Sequence, residues 1–280
     1  MTDKVTAPAL AGRKRRHGGT PIVMVTAYDT PFARAVDGAG VDAILVGDSV
    51  AENVLGLDST LCVTVDEMRH HVAAVARAQP KALIVADLPW MSYHVDVPDT
   101  LRNAASLVRA GAEAVKLEGG RRRLPVVHAL LDAEIPVMGH LGLTPQSVHA
   151  MGGFRVQGRD LESATEIELD AKALAGAGCF AIVLEGVPDV LAERITAAIE
   201  IPTIGIGAGG SCDGQVLVLH DIIGMAARPA PKFVRQYADV SAVVRDAVGA
   251  YASDVRSGAF PSDAEAYHGS DALREGLAGR

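Results

Sequence analysis

Residues 43–49 read AILVGDS, an apolar run that ends in an acid at Asp48. The same pattern recurs in ALIVADLP, EAVKLEGG and FAIVLEG, whose acids are Asp87, Glu118 and Glu185. Apolar runs of this kind are typical of parallel strands that are buried on both faces. Four of them predict a parallel sheet whose carboxyl edge carries four carboxylates.

Eight β-rich runs alternate with helical stretches along the chain, at residues 22–27, 43–46, 83–86, 114–117, 136–139, 181–184, 203–206 and 216–219. This number and alternation predict an α/β fold, a single-domain (β/α)8 or TIM barrel. A doubly wound open sheet is the alternative, because periodicity does not show whether a sheet closes. The glycine-rich segment 205–210 follows the seventh run, whereas a dinucleotide turn normally follows the first.

The domain limits follow from composition along the chain. Residues 20–262 are predicted to form the catalytic barrel, since no linker or composition shift divides them. Residues 1–19, with a basic cluster at 13–16, are expected to be a flexible leader. Residues 263–280 are expected to be a polar C-terminal tail.

Charge and cysteine usage limit the classes of partner. A net charge of −8 and one basic cluster without interleaved aromatics argue against nucleic acid. No run of 18 apolar residues is present, so a membrane-spanning helix is not expected. The three cysteines show no metal-ligand spacing, which predicts a reduced, cytoplasmic setting.

The strand-end acids are candidates for a metal site. A single acid after a strand more often caps the next helix, but the strand ends of a barrel share the rim that holds its active site. Asp48 and Asp87 are short carboxylates of the kind that Mg²⁺ binds, with Mn²⁺ as the alternative. Glu118 is a further ligand, directly or through water.

Three more side chains are predicted to take part in the chemistry. Lys116 lies two residues from Glu118, so both point the same way from a strand, and its charge can neutralise a substrate carboxylate. Glu185 is the candidate general acid or base. His140, which ends PVMGH, is a candidate substrate contact, although a lone histidine is more often structural.

Several motifs in series carry a resemblance to a known family. They are TAYD, VGDS, ADLP, VKLEGG, GHLGLTPQS, GGFRVQGR, IPTIGIGAG and CDGQVLV, in this order between residues 20 and 262. In these segments the chain resembles the ketopantoate hydroxymethyltransferases.

The resemblance implies an activity, a cofactor and an assembly. The activity is transfer of a hydroxymethyl unit from 5,10-methylenetetrahydrofolate to 3-methyl-2-oxobutanoate, which gives 2-dehydropantoate for pantothenate and coenzyme A synthesis. Mg²⁺, the oxo acid and folate are the implied partners, in a homodecamer of two pentamers. Matched by motif, the metal ligands are Asp48, Asp87 and Glu118, the oxo-acid contacts are Asp48, Ser49, Asp87 and Lys116, and the proton acceptor is Glu185.

Three other functions remain open at this point. One is another Mg²⁺-dependent oxo-acid enzyme of the phosphoenolpyruvate mutase or isocitrate lyase type, although PVMGH lacks the cysteine of the lyase KxCGH motif. The second is an aldolase that forms a Schiff base at Lys116. The third is a barrel that binds an oxo acid without catalysis.

Overall fold

A closed barrel of eight parallel strands is the central feature of the computed structural model, which describes residues 3–226 and 229–279. Each strand pairs with the next, and β8 pairs with β1. The strands are β1 Ile22–Thr26, β2 Ala43–Val46, β3 Leu83–Asp87, β4 Ala114–Glu118, β5 Val137–Gly142, β6 Ala181–Glu185, β7 Thr203–Ile206 and β8 Gly214–Leu217. The closure confirms the (β/α)8 prediction over the open sheet.

Within those two ranges the chain forms twelve α-helices. They are α1 Ala7–Ala11, α2 Thr30–Gly38, α3 Val50–Asn53, α4 Val65–Ala76, α5 Val97–Ala110, α6 Leu124–Asp132, α7 Val148–Met151, α8 Leu161–Ala177, α9 Asp189–Ala198, α10 Leu219–Ile222, α11 Val240–Ser257 and α12 Asp271–Ala278. Short 3₁₀ turns occur at Arg15–His17, Thr60–Cys62, Arg121–Arg123, Pro145–Ser147 and Asp263–Glu265. Helices link the strands from β1 to β7, whereas β7 and β8 are joined by a loop.

Local sequence explains where the crossover helices begin and end. Thr64 and Glu67 form a reciprocal capping box at the start of α4. The side chain of Asp96 caps α5 by accepting a hydrogen bond from the backbone N–H of Asp99. Gly111 ends α5 with φ = 116°, a left-handed conformation that favours glycine.

The strand predictions were accurate to within one residue except at β5, which extends to Gly142, and at β8. Strands β3, β4 and β6 each include the acid that follows the apolar run. Strand β8 begins at Gly214, two residues earlier than expected. A Cβ atom on Gly214 would lie 2.5 Å from the carbonyl oxygen of Ile22 on β1, so the pairing needs a residue without a side chain, and glycine gives no apolar signal.

The structure differs from the expected flexible leader. Helix α1 packs the fully buried Leu10 into the apolar cluster of the barrel interior. Lys14 is also buried, and its Nζ atom lies 2.7 Å from Oδ2 of Asp213 and 3.1 Å from the carbonyl oxygen of Ile201. The segment is ordered through contacts with residues far away in sequence, which a local reading of its basic cluster does not indicate.

The C-terminal residues form a compact unit of their own. It comprises Ile223–Met225 and the residues from Gln236 onward, whereas the barrel unit includes residues up to Ile222 and the segment 226–235. The division therefore precedes the boundary expected at 262. Helix α11 is capped by Asp239 and ends at Gly258, and none of its residues is buried. No helix in the described ranges is long and apolar enough to cross a membrane.

Candidate active site

Strand register brings the predicted site residues to one rim of the barrel. Asp87 on β3 pairs with Lys116 on β4, and Glu118 pairs with His140 on β5. Glu185 ends β6 opposite Gly142, the last residue of β5. Asp48 follows β2 by two residues at the same end.

The two short carboxylates do not cap helices. Asp87 accepts a hydrogen bond from the backbone N–H of Asp48 at 3.0 Å and forms a 2.9 Å ion pair with Nζ of Lys116. Asp48 accepts a hydrogen bond from Nε2 of Gln146 at 2.8 Å. Helix α3 after Asp48 has Ser49 as its N-cap residue, without a side-chain cap bond. The capping alternative is therefore excluded for both acids.

His140 lies between the two glutamates. Its Nδ1 atom is 3.3 Å from Oε1 of Glu118, and its Nε2 atom is 3.2 Å from Oε2 of Glu185. Nζ of Lys116 lies 3.2 Å from Nδ1. Burial and the lysine charge oppose protonation, but the two glutamates beside the ring nitrogens outweigh them and raise the pKa of His140 to about 9.

Crowding of charge shifts the remaining groups. Burial, together with the charges of Asp87 and Glu118, raises the pKa of Asp48 well above its usual value. Burial also raises the pKa of Asp87, although the neighbouring Lys116 opposes this shift. For Lys116, burial works against the charge, but the three carboxylates outweigh it and raise the pKa. Burial thus disfavours the charged forms of Asp48 and Asp87 more than their partners favour them.

The donor set suits a divalent cation. When ionised, Asp48, Asp87, Glu118 and Glu185 carry four negative charges, against two positive charges on Lys116 and protonated His140. A divalent cation would balance the excess. Within the described ranges no three His, Cys, Asp or Glu side chains form a preformed ligand cluster. Mg²⁺ commonly takes one or two protein carboxylates and fills its other positions with water and substrate.

A cavity of about 500 Å³ opens above these groups and has two kinds of wall. Its floor carries the charged residues of the rim and Ser49, whose Oγ atom lies 2.8 Å from the hydroxyl of Tyr28. Its outer part is lined by Phe154, Val156 and Phe233, with Arg155 and Lys232 beside them. The floor suits a small anion with a cation, and the outer part suits a larger, flat and anionic molecule.

Sequence reasoning from the residues missed two buried side chains of this site. Gln146 contacts both Asp48 and Glu118, and the hydroxyl of Tyr93 lies 2.6 Å from Oε1 of Gln146. Both residues lie in loops, where no periodicity marks a buried position. The available signal was the Gln within GLTPQS, a short polar turn directly after a strand that ends at the rim.

Sequence comparison gives one family for almost the whole chain. The family model described as ketopantoate hydroxymethyltransferase matches residues 4–263. The chain belongs to this family. It is 58% identical over 262 residues to the 3-methyl-2-oxobutanoate hydroxymethyltransferase of Methylobacterium sp. (strain 4-46), covering 94% of this chain and 91% of that protein. The protein of the same name from Pyrobaculum islandicum is 57% identical over 245 residues, covering 88% of this chain and 94% of that protein.

Solved structures show the same fold at low identity. The crystal structure of 2,3-dimethylmalate lyase, a member of the PEP mutase/isocitrate lyase superfamily, has a TM-score of 0.58 and 18% identity, covering 98% of this chain and 95% of that one. Phosphonopyruvate hydrolase in complex with oxalate and Mg²⁺ has a TM-score of 0.59 and 14% identity, with the same coverage. These similarities support the barrel architecture.

Proposed function

We propose that the protein transfers a hydroxymethyl unit from 5,10-methylenetetrahydrofolate to 3-methyl-2-oxobutanoate, forming 2-dehydropantoate for pantothenate and coenzyme A synthesis. Family membership gives the reaction, and the observation that carries the assignment to this site is the excess of buried carboxylates at the floor of the cavity. Asp48 and Asp87 would hold Mg²⁺ there together with the oxo acid, and Glu118 would be the outer ligand.

The first chemical step is removal of the proton at C3 of the oxo acid. Glu185 accepts this proton, and His140 at 3.2 Å orients its carboxylate. Asp48 and Asp87 would hold Mg²⁺, which when bound would supply Lewis-acid polarisation of the ketone and make the proton more acidic. Water adds to the folate methylene carbon and both of its C–N bonds break, which releases tetrahydrofolate and leaves a formaldehyde unit. C3 then bonds to the carbon of this unit, and its oxygen takes up a proton to become the hydroxyl group.

Lys116 acts as a fixed positive charge for the oxo acid. The carboxylates around it raise its pKa, so the amine stays protonated. A Schiff base requires the neutral amine, and the aldolase alternative is therefore disfavoured. Lys116 and Ser49 instead bind substrate oxygens, and His140, which also lines the cavity, is a further substrate contact.

The outer part of the cavity receives the folate. Phe154, Val156 and Phe233 offer apolar contacts to its flat ring system, and Arg155 and Lys232 offer charge to its carboxylates. The loop with Phe154 and Val156 is fixed next to the proposed base Glu185, because the backbone N–H of Gln157 donates to the carbonyl of Gly186 at 2.9 Å.

Deuterium exchange at C3 of the oxo acid, followed by NMR with Mg²⁺ or with a chelator, tests the base and the metal together. We expect Mg²⁺-dependent exchange in the parent and a loss of roughly 10²- to 10⁴-fold in Glu185→Gln. Glu193→Gln, on an exposed position of α9, is the matched control and should exchange like the parent. Undiminished exchange in Glu185→Gln would show that Glu185 is not the base. Undiminished exchange in the presence of chelator would show that the reaction does not need a metal.

The proposed setting is the cytoplasm, in a homodecamer of two pentamers. All three cysteines are free, and two of them, Cys179 and Cys212, are buried. This pattern suits a reducing compartment. Sedimentation of the purified chain tests the assembly, because a species smaller than ten subunits at micromolar concentration would contradict it.

A further inference from the structure

Gln146 lies where the β5 loop crosses over the acidic rim. It belongs to the 3₁₀ turn Pro145–Ser147 and is buried, with 6% of its surface exposed. No step of the proposed reaction uses this side chain, and an amide neither titrates nor attacks a substrate. Its burial among acids therefore calls for another explanation.

The amide of Gln146 is fully engaged in hydrogen bonds. Its Nε2 group donates to Oδ2 of Asp48 at 2.8 Å and to the carbonyl oxygen of Leu88 at 3.0 Å. Its Oε1 atom lies 2.6 Å from the hydroxyl of Tyr93, which donates to it. A carbonyl oxygen can only accept, so Leu88 fixes the nitrogen side of the amide and excludes the flipped orientation.

The same residue contacts a second acid through its backbone. The N–H of Gln146 donates to Oε2 of Glu118 at 3.0 Å. Asp48 and Glu118 come from the ends of β2 and β4, with β3 between them. One residue thus sets the rotation of two carboxylates that no strand pairing joins directly.

A neutral donor is the chemical type that this position requires. An amide orients a carboxylate without cancelling its charge, whereas a lysine or arginine would neutralise it and compete with a cation. The N–H bonds engage one oxygen of each acid and hold the carboxylate planes at fixed angles. Partners of this kind around metal ligands change metal affinity by roughly 10- to 100-fold.

We propose that Gln146 is a positioning residue for the divalent cation, holding the carboxylates of Asp48 and Glu118 in the orientation that binds it. The proposal rests on the function proposed above, because it assumes that these acids are metal ligands. It assigns Tyr93 a supporting part, since its hydroxyl fixes the amide of Gln146.

Binding of Mn²⁺ alone to the metal-free full-length protein, measured by electron paramagnetic resonance, tests this role without catalysis. Gln146→Met keeps the length of the side chain and removes the two side-chain N–H bonds, to Asp48 and to Leu88, whereas the backbone bond to Glu118 remains. We expect its Kd for Mn²⁺ to rise about 10- to 100-fold. Gln215→Met is the matched control, because Gln215 bonds the carbonyl of Gly209 outside the cavity lining. Its Kd should equal that of the parent.

Two further measurements separate positioning from a structural role. In Gln146→Met, saturating Mg²⁺ should restore kcat while the Mg²⁺ concentration for half activation stays raised. A structural defect would instead lower Tm and the active fraction at unchanged Kd, and that result overturns the proposal. If Gln146→Met does not fold by circular dichroism, Gln146→Asn takes its place, because the shorter amide cannot reach Asp48.

The outcomes distinguish this proposal from the function on which it rests. If the parent protein binds no Mn²⁺, the metal site itself fails. If the parent binds Mn²⁺ and the folded variant binds it equally well, the metal site stands and the role of Gln146 is wrong.

Discussion

The two ends of the barrel both bury charged side chains, but they balance them differently. At the amino-terminal end, Lys14 and Asp213 form one closed pair. Asp213 accepts hydrogen bonds from the backbone N–H groups of Arg15 and Thr203, both at 2.9 Å, in addition to its 2.7 Å contact with Lys14. At the carboxyl end, four acids face two cations.

The difference shows what each end contributes. A buried pair with satisfied oxygens fixes the chain, and its charge has no further ligand to attract. Repulsion within a cluster of excess negative charge lowers the free energy of unfolding of the free protein, and binding of a cation raises it again. The amino-terminal end therefore contributes stability and the carboxyl end contributes chemistry, as in other barrels of this type.

Asp48→Asn should separate stability from catalysis most strongly. We expect substrate exchange to fall roughly 10²- to 10³-fold, because a proposed metal ligand loses its charge. The folded pKa of Asp48 is raised, so its ionisation opposes folding as pH increases, and the neutral amide removes that cost. Thermal unfolding of the metal-free variant at neutral pH should give a Tm equal to or above the parent value. A fall of several degrees would show that the charge of Asp48 stabilises the free protein and would contradict this division between the two ends.

Asp213→Ala should have the opposite profile. Removal of one partner leaves the buried Lys14 without compensation, and we expect a loss of about 3–5 kcal/mol in the free energy of unfolding. Denaturant titration measures this loss, and C3 exchange per folded molecule should stay close to the parent rate. Asp132→Ala, at an exposed position in α6, is the control and should change stability little. An equal loss of unfolding free energy in both variants would show that the Lys14–Asp213 pair contributes no more to stability than an exposed residue does.

His94 gives the smallest expected effect and locates acid sensitivity at the carboxyl end. Burial, helped by the charge of Arg123, lowers its pKa to about 4, and its Nδ1 atom is buried without a hydrogen-bond partner in the described structure. Between pH 4 and 6.5 the unfolded chain binds the extra proton, so stability should rise with pH through this window.

Denaturant titrations across that window compare the parent with His94→Phe, which keeps the ring that packs against Tyr93 at 4.2 Å. The variant should show a shallower dependence on pH. His128→Phe, exposed on α6, should keep the parent slope. Equal slopes in the parent and His94→Phe would place the acid sensitivity elsewhere.

The barrel could be predicted from sequence because its signal is local and repeated. Runs such as residues 43–46 and 181–184 are apolar, of strand length and separated by helical stretches. Each strand can therefore be recognised from its own residues. The four acids were found for the same reason, since each follows directly after a run. The exception was β8, whose first residue, Gly214, is required by close packing and carries no hydrophobic signal.

The undetected features depend on contacts between distant parts of the chain. Lys14 is separated from Asp213 by 199 residues, and a local reading sees it as part of a solvated basic cluster. Gln146 reaches Asp48 across 98 residues. Neither contact leaves a pattern near either partner, so only the folded barrel identifies them. Gln146 lies within one of the motifs that carry the family resemblance, but the resemblance implied no role for it.

The apolar cluster inside the barrel also affects the order of events during turnover. Along β4 the interior positions run from Ala114 in that cluster to Lys116 and Glu118 above it, so the pocket has a closed base. A small ligand on this base lies beneath a large one held by the outer walls. Under the proposed function, the oxo acid would bind before the folate, and 2-dehydropantoate would leave after it.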